Sequence, residues 1–156
     1  MRLALYQPDI PQNTGTILRL AACLGVAVDI IGPAGFDLSD RALKRAALDY
    51  LAHVALTRHA SWQAFQSWRA RTASTRLVLL TARAEVAHYA FAFAPSDILL
   101  LGRESAGVPE AVHAEADARI KVPMRPGLRS LNVAVAAAIV LGEALRQTAL
   151  FPGPPT

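Results

Sequence analysis

With 156 residues, one domain with a core of its own is the natural reading. Apolar residues make up 53% against 18% charged, which is rich for a monomer of this size and points to a buried contact between copies. The formal charge of +4 and pI of about 9.8 form a mild basic bias compatible with nucleic acid, and the single Cys23 excludes an internal disulfide framework and a cysteine-based zinc cluster. The longest apolar run, near 131–142, falls short of the ~20 residues a membrane span needs. The N-terminus runs directly into a strand pattern, so no signal peptide is expected. A soluble, cytoplasmic protein without a membrane partner is the expectation.

In chain order, runs rich in Val, Ile and Leu at 2–6, 26–31, 52–57, 76–82, 97–101 and 118–122 read as strands. Several are apolar at consecutive positions, as in a parallel sheet covered on both faces. Helical patterns fall between them near 14–24, 40–50, 61–71, 107–114 and 131–149. The alternation predicts an α/β domain over 1–150, with a mostly parallel sheet flanked by helices and no internal repeat. The segment 151–156, Phe-Pro-Gly-Pro-Pro-Thr, reads as a flexible tail.

Three loops carry chemistry. The first, Pro11 to Arg19, follows the first strand: Asn13 or Thr14 can cap the helix, Gly15 admits another backbone or a ligand, and Ile17, Leu20, Ala21 and Leu24 form the buried stripe. Arg19 projects from the opposite side, where a solvated arginine is the plain alternative. The second, Leu99 to Pro109, leaves a buried strand through Gly102 and Gly107. Its spacing is neither a P-loop nor a dinucleotide fingerprint. Ligands in open α/β sheets bind at the carboxyl ends of strands, although an ordinary strand-to-helix turn also uses glycine.

The third loop, Arg119 to Val133, gathers Pro123, Pro126, Gly127, Arg125, Arg129 and Asn132 ahead of an apolar helix that Ser130 or Asn132 can cap. Arg41, Lys44 and Arg45 share one face of the second helix, either simply solvated or facing phosphates. His53, His59, His88 and His113 lack metal-ligand spacing, so no metal is expected. Trp62, Phe65 and Trp68 at i, i+3, i+6 read as helix packing rather than a base-stacking platform.

Taken in order, Asn-x-Gly-x-x-x-Arg, Leu-Gly-x-Glu-x-x-Gly and Ile-x-Val-Pro-Met…Ser-Leu-Asn-Val resemble the three motifs of the SPOUT class of RNA methyltransferases, over nearly the whole chain. The short length, the Tyr-Gln-Pro-Asp-Ile-Pro-Gln-Asn-Thr-Gly start and Leu48-Asp49-Tyr50 resemble its minimal, TrmL-type branch, which 2′-O-methylates the wobble nucleotide (cytidine or modified uridine) of certain leucine tRNAs.

The resemblance implies an α/β domain with a C-terminal deep trefoil knot and a homodimer whose first and last helices pack across the two-fold, each site completed by the partner. S-adenosyl-L-methionine would sit against Leu80, Thr81, Gly102, Glu104, Gly107, Val122, Met124, Ser130 and Leu131. Arg19 would be the catalytic arginine, with Asn13, Ser130 and Asn132 placing the ribose or that arginine. A guanidinium stays protonated in proteins and is a poor base, so Arg19 is expected to orient the 2′-OH and stabilise its developing charge. Arg41, Lys44, Arg45, Arg125 and Arg129 are the expected tRNA contacts. Another tRNA or rRNA position, a non-catalytic RNA-binding protein on the same scaffold, and a generic nucleotide-binding α/β domain are the rival readings.

Overall fold

The computed structural model describes residues 1–72 and 74–154. Among the described residues seven strands form one sheet in the order β3-β2-β1-β6-β4-β7-β5, every pairing parallel. They are β1 (Arg2–Tyr6), β2 (Ala27–Ile31), β3 (Leu56–His59), β4 (Leu77–Leu80), β5 (Val86–Ala87), β6 (Ile98–Leu101) and β7 (Ala118–Lys121). The helices are α1 (Pro11–Leu24), α2 (Asp40–Ala47), α3 (Trp62–Ala70), α4 (Glu110–Glu115) and α5 (Val133–Thr148).

The central strands are apolar at successive positions because both faces are covered. On one face Leu3, Leu5, Val28, Ile30, Val78, Leu99 and Leu101 pack with α1, α2 and α5. On the other, Ala4, Tyr6, Leu77, Leu79, Ile98 and Leu100 pack with α3 and α4. Phe65 is fully buried there, with the Trp62 and Trp68 rings at centroid distances of 5.3 and 5.8 Å, so Trp62 and Phe65 are core and half-buried Trp68 packs against them. β6 lies between β1 and β4, β7 lies beyond β4, and α5 then returns to pack on α1. That path is consistent with a knotted C-terminal half.

Several expected boundaries move. α1 begins at Pro11, three residues early, because proline fits the first helical position and Ile10 caps through its backbone. Neither Asn13 nor Thr14 caps this helix. Its fully buried stripe holds Leu18 with Ile17 and Ala21, while Leu20 and Leu24 are only half-buried. The strand expected at 52–57 starts at Leu56, because Leu48–His53 form a 3-10 segment whose Leu51 packs on the core. The helix expected at 40–50 therefore stops at Ala47, and α4 starts at Glu110 rather than 107. β5, two residues long, was not expected from the sequence. Of the expected tail, 155–156 lie outside the described residues, and no described helix is long and apolar enough to cross a membrane.

Candidate active site

Because the strands are parallel, the loops after β1, β6, β4 and β7 all leave the same edge of the sheet, where α/β domains bind ligands. Together they enclose a cavity of about 490 Å³. Leu80, Thr81, Gly102, Glu104, Gly107, Val122, Met124, Ser130 and Leu131 all line it, joined by Asn13 and Asn132. Arg125 and Arg129 belong to the same loop as Met124 and Ser130 but are exposed outside that lining.

The loop after β6 closes on itself. Arg103 N–H donates to the Gly107 carbonyl at 3.0 Å, and Gly107 N–H donates to the Arg103 carbonyl at 2.8 Å. A Cβ on Gly102 would stand 2.8 Å from the Gly107 Cα and carbonyl carbon, and Gly107 has φ of 64°. One glycine therefore permits a backbone contact, and the other supplies a left-handed turn that side chains resist.

A polar chain joins this loop to both neighbours. Asp9 N–H donates to Glu104 Oε2 at 3.0 Å, and Glu104 N–H donates back to Asp9 Oδ1 at 3.2 Å. The Ser105 hydroxyl also donates to Asp9. Asn13 Nδ2 donates to Glu104 Oε1 at 3.3 Å, and Asn132 Nδ2 donates to Asn13 Oδ1 at 2.9 Å. The Asn132 side-chain oxygen accepts from Ala134 and Val135 N–H and so caps α5. Pairing with the Glu104 carboxyl, and then the Ser105 hydrogen bond, hold the Asp9 carboxyl down to about 2. Burial, and then the hydrogen bond with Asp9, push the Glu104 carboxyl above its ordinary range.

Sequence reasoning passed over Asp9 and Arg103. Arg103 lines the cavity, donates to Gln7 Oε1 at 3.3 Å and lies 3.7 Å from Asp9 Oδ2. Its buried Nε has no hydrogen-bond partner among the described residues. The available signal was an acid three residues beyond the first strand, in Pro8-Asp9-Ile10-Pro11.

Arg19 is exposed on α1 and is not part of the cavity wall. It lies six residues beyond Asn13, a rise of about 9 Å along the helix. Its guanidinium carbon sits 4.7 Å from the Tyr50 ring centroid. Gly15 faces α2, where a Cβ would come within 2.2 Å of the Ala46 carbonyl oxygen, so the close neighbour it admits is a backbone. Arg41, Lys44 and Arg45 are exposed on α2. Among the described residues, Arg2, Arg58, Arg69, Arg76, Arg83, Arg103 and Arg146 have carboxylate partners. Arg19 and the α2 cations are not in such pairs.

A parallel α/β sheet whose C-terminal half folds glycine- and proline-rich loops around a cavity at the strand ends has the architecture expected of the SPOUT class of methyltransferases. The family model described as the SpoU rRNA methylase family matches residues 1–142. The chain belongs to that family. A tRNA (cytidine(34)-2′-O)-methyltransferase of Beijerinckia indica is 66% identical over 145 residues, covering 93% of this chain and 90% of the relative. A solved structure concerned with the 2-OH methylation of C/U34 on tRNA superposes with a TM-score of 0.86 at 46% identity, covering 94% of each chain. The SpoU methyltransferase AviRb from Streptomyces viridochromogenes, solved with its cofactor AdoMet, superposes at 0.85 and 30% identity over 94% of this chain and 57% of that one.

Proposed function

We propose that this protein transfers a methyl group from S-adenosyl-L-methionine to the 2′-OH of the wobble nucleotide, cytidine or modified uridine, of leucine tRNAs in the cytoplasm. The observation that carries the reading is the convergence of three sequence motifs on one cavity at the carboxyl ends of adjacent strands. Its volume lies within the ~300–1,000 Å³ usual for small-molecule sites. Its walls suit the cofactor: aliphatic side chains such as Leu79, Leu101 and Val133, and a backbone that Gly102 and Gly107 leave open.

S-adenosylmethionine supplies an electrophilic methyl group on a sulfonium. The protein's part is to align the incoming oxygen with it, a gain that positioning alone can make large. Gly102, Gly107, Leu80, Thr81, Val122, Met124, Ser130 and Leu131 hold the cofactor, and Glu104 ties that loop to Asn13. Asn13, Asn132 and Ser130 orient the ribose. Arg19 donates to the 2′-OH and the adjacent phosphate and stabilises the developing alkoxide.

Arg41, Lys44, Arg45, Arg125 and Arg129 receive the tRNA backbone. Because Arg19 stands outside its own chain's cavity, it serves the site of a second copy in a homodimer. Exposed Leu131, Val135 and Ile139, at the start of α5 and along it, offer an apolar face for that contact.

Arg19→Ala is expected to abolish methyl transfer while leaving cofactor affinity within about twofold, since its donors are assigned to the ribose and phosphate and not to the cofactor. The reading is tested by nucleoside mass spectrometry of tRNA incubated with the protein and labelled cofactor, followed by mapping of the labelled nucleotide. Label at the wobble ribose of leucine tRNAs is the expected result. Label in rRNA, or at another tRNA position, would overturn the assignment of target, and near-normal turnover by Arg19→Ala would overturn the assignment of the arginine.

A further inference from the structure

Among the described residues seven of the fourteen arginines meet a carboxylate, two of these (Arg2 and Arg76) also lying over a ring, whereas Arg19 meets a ring without a carboxylate. Its guanidinium carbon lies 4.7 Å from the centroid of Tyr50. The difference matters chemically. A carboxylate would occupy the guanidinium's donors in pairs and cancel its charge. An aromatic face attracts the cation through its quadrupole and takes up none of its five N–H groups.

Local structure delivers Tyr50 to that position. α2 ends at Ala47, and Leu48, at φ 55° and ψ −140°, turns the chain into the 3-10 segment that carries Tyr50. Tyr50 is half-buried and Arg19 exposed, so the ring is the more fixed of the two. The separation between α1 and this segment is set where Gly15 touches the Ala46 carbonyl, a contact that any Cβ would block at 2.2 Å. Gly15 and Arg19 are one helical turn apart on the same side of α1. Ala46 and Tyr50 are likewise four residues apart. The contact at Gly15 therefore brings the next turn of α1 level with the ring, which relates the glycine of Asn-x-Gly-x-x-x-Arg to its arginine.

We propose that Tyr50 is a positioning residue for Arg19. Its ring holds the guanidinium in place while leaving the charge and every N–H donor free for the ribose 2′-OH and the neighbouring phosphate. The proposal rests on the role given to Arg19 above and adds to it the device that keeps this arginine ordered but unneutralised.

The test compares Tyr50→Phe, Tyr50→Leu and Arg19→Ala in single-turnover methylation of tRNA from a strain lacking the gene, with labelled S-adenosylmethionine. Cofactor affinity and melting temperature are measured alongside. The contact is with the ring and not the hydroxyl, so Tyr50→Phe should transfer within about twofold of wild type. Tyr50→Leu keeps the bulk and loses the face. Its rate at saturating cofactor and tRNA should fall ~5- to 30-fold, with cofactor affinity unchanged. Should Tyr50→Leu melt early, Tyr50→Met, which fills the space with a flexible chain, is read in its place.

A wild-type rate for the aliphatic variant overturns the proposal, as does a Tyr50→Phe variant as slow as the aliphatic one. If Arg19→Ala is inactive and the aliphatic variant normal, only the positioning role fails. If Arg19→Ala transfers normally, the role of Arg19 itself fails.

Discussion

Replacing Gly102 by alanine tests the cofactor loop most directly. The new Cβ would stand 2.8 Å from two backbone atoms of Gly107 and 3.2 Å from its oxygen. Carbon atoms pack at roughly 3.5–4.0 Å, so the two sides of the loop must separate by about 0.7 Å or more. The paired hydrogen bonds that close the loop, now 3.0 and 2.8 Å, would stretch to the edge of bonding distance or break. Overpacking of this kind costs about 1–3 kcal/mol. Gly102, Glu104 and Gly107 all line the cavity, so the displacement alters the surface offered to the cofactor. Spent on binding, that energy weakens cofactor affinity by ~5- to 150-fold.

Isothermal calorimetry with S-adenosylmethionine measures the effect, and circular dichroism reports whether the fold survives. Gly107→Ala is the natural companion. Its Cβ meets nothing within 4 Å, but its φ of 64° penalises a side chain, so any loss there comes from backbone conformation and not from a clash. Unchanged cofactor affinity in Gly102→Ala would refute both the packing argument and the placing of the cofactor at this loop.

Asn132→Ala removes the cap on two α5 N–H groups and the hydrogen bond to Asn13, and should cost about 1 kcal/mol, read as a melting temperature lower by ~2–4 °C. Acid stability should depend on Asp9, whose carboxyl is held at about 2 against an ordinary 3.8. The unfolded chain takes up that proton first, so this stabilisation is complete above the ordinary value and is lost as pH falls towards 2. Glu104, shifted upward, acts in the opposite sense: its contribution is present below its ordinary 4.5 and fades as pH rises through the folded value. Thermal melts should therefore show a flatter acid limb for Asp9→Asn than for wild type; a limb of equal slope would count against the pairing. Replacing Arg41, Lys44 and Arg45 together by alanine should leave cofactor affinity intact. It should lower the slope of log affinity for tRNA against log salt by up to ~2–3, and an unchanged slope would remove α2 from the RNA surface.

What the sequence made legible was decided by how local the physics is. β6 and β4 read plainly because Ile98–Leu101 and Leu77–Leu80 are apolar at every position, as burial on both faces demands. The same rule misled at 52–57. Leu51 and Val54 pack against the core from a 3-10 segment and its flank, and an apolar run alone does not distinguish that from a strand. The cavity-lining glycines are legible as motif positions, although the cause of each, a close backbone approach at Gly102 and a left-handed turn at Gly107, arises only in the folded loop.

Asn13 shows the limit most clearly. Polar, near a helix start and following a strand, it has the local signature of a cap. Yet Pro11 opens the helix without a side-chain cap, leaving the Asn13 amide to span Glu104, 91 residues away, and Asn132, 119 residues away. Asp9 was silent for the same reason, since its partners lie in a loop 95 residues further along the chain. Long-range polar links of this kind exist because β6 inserts beside β1 and the chain then doubles back through β7. They follow from the topology and carry no periodicity for a sequence to display. The residues that join the three loops into one site are thus the ones that local patterning is least able to reveal.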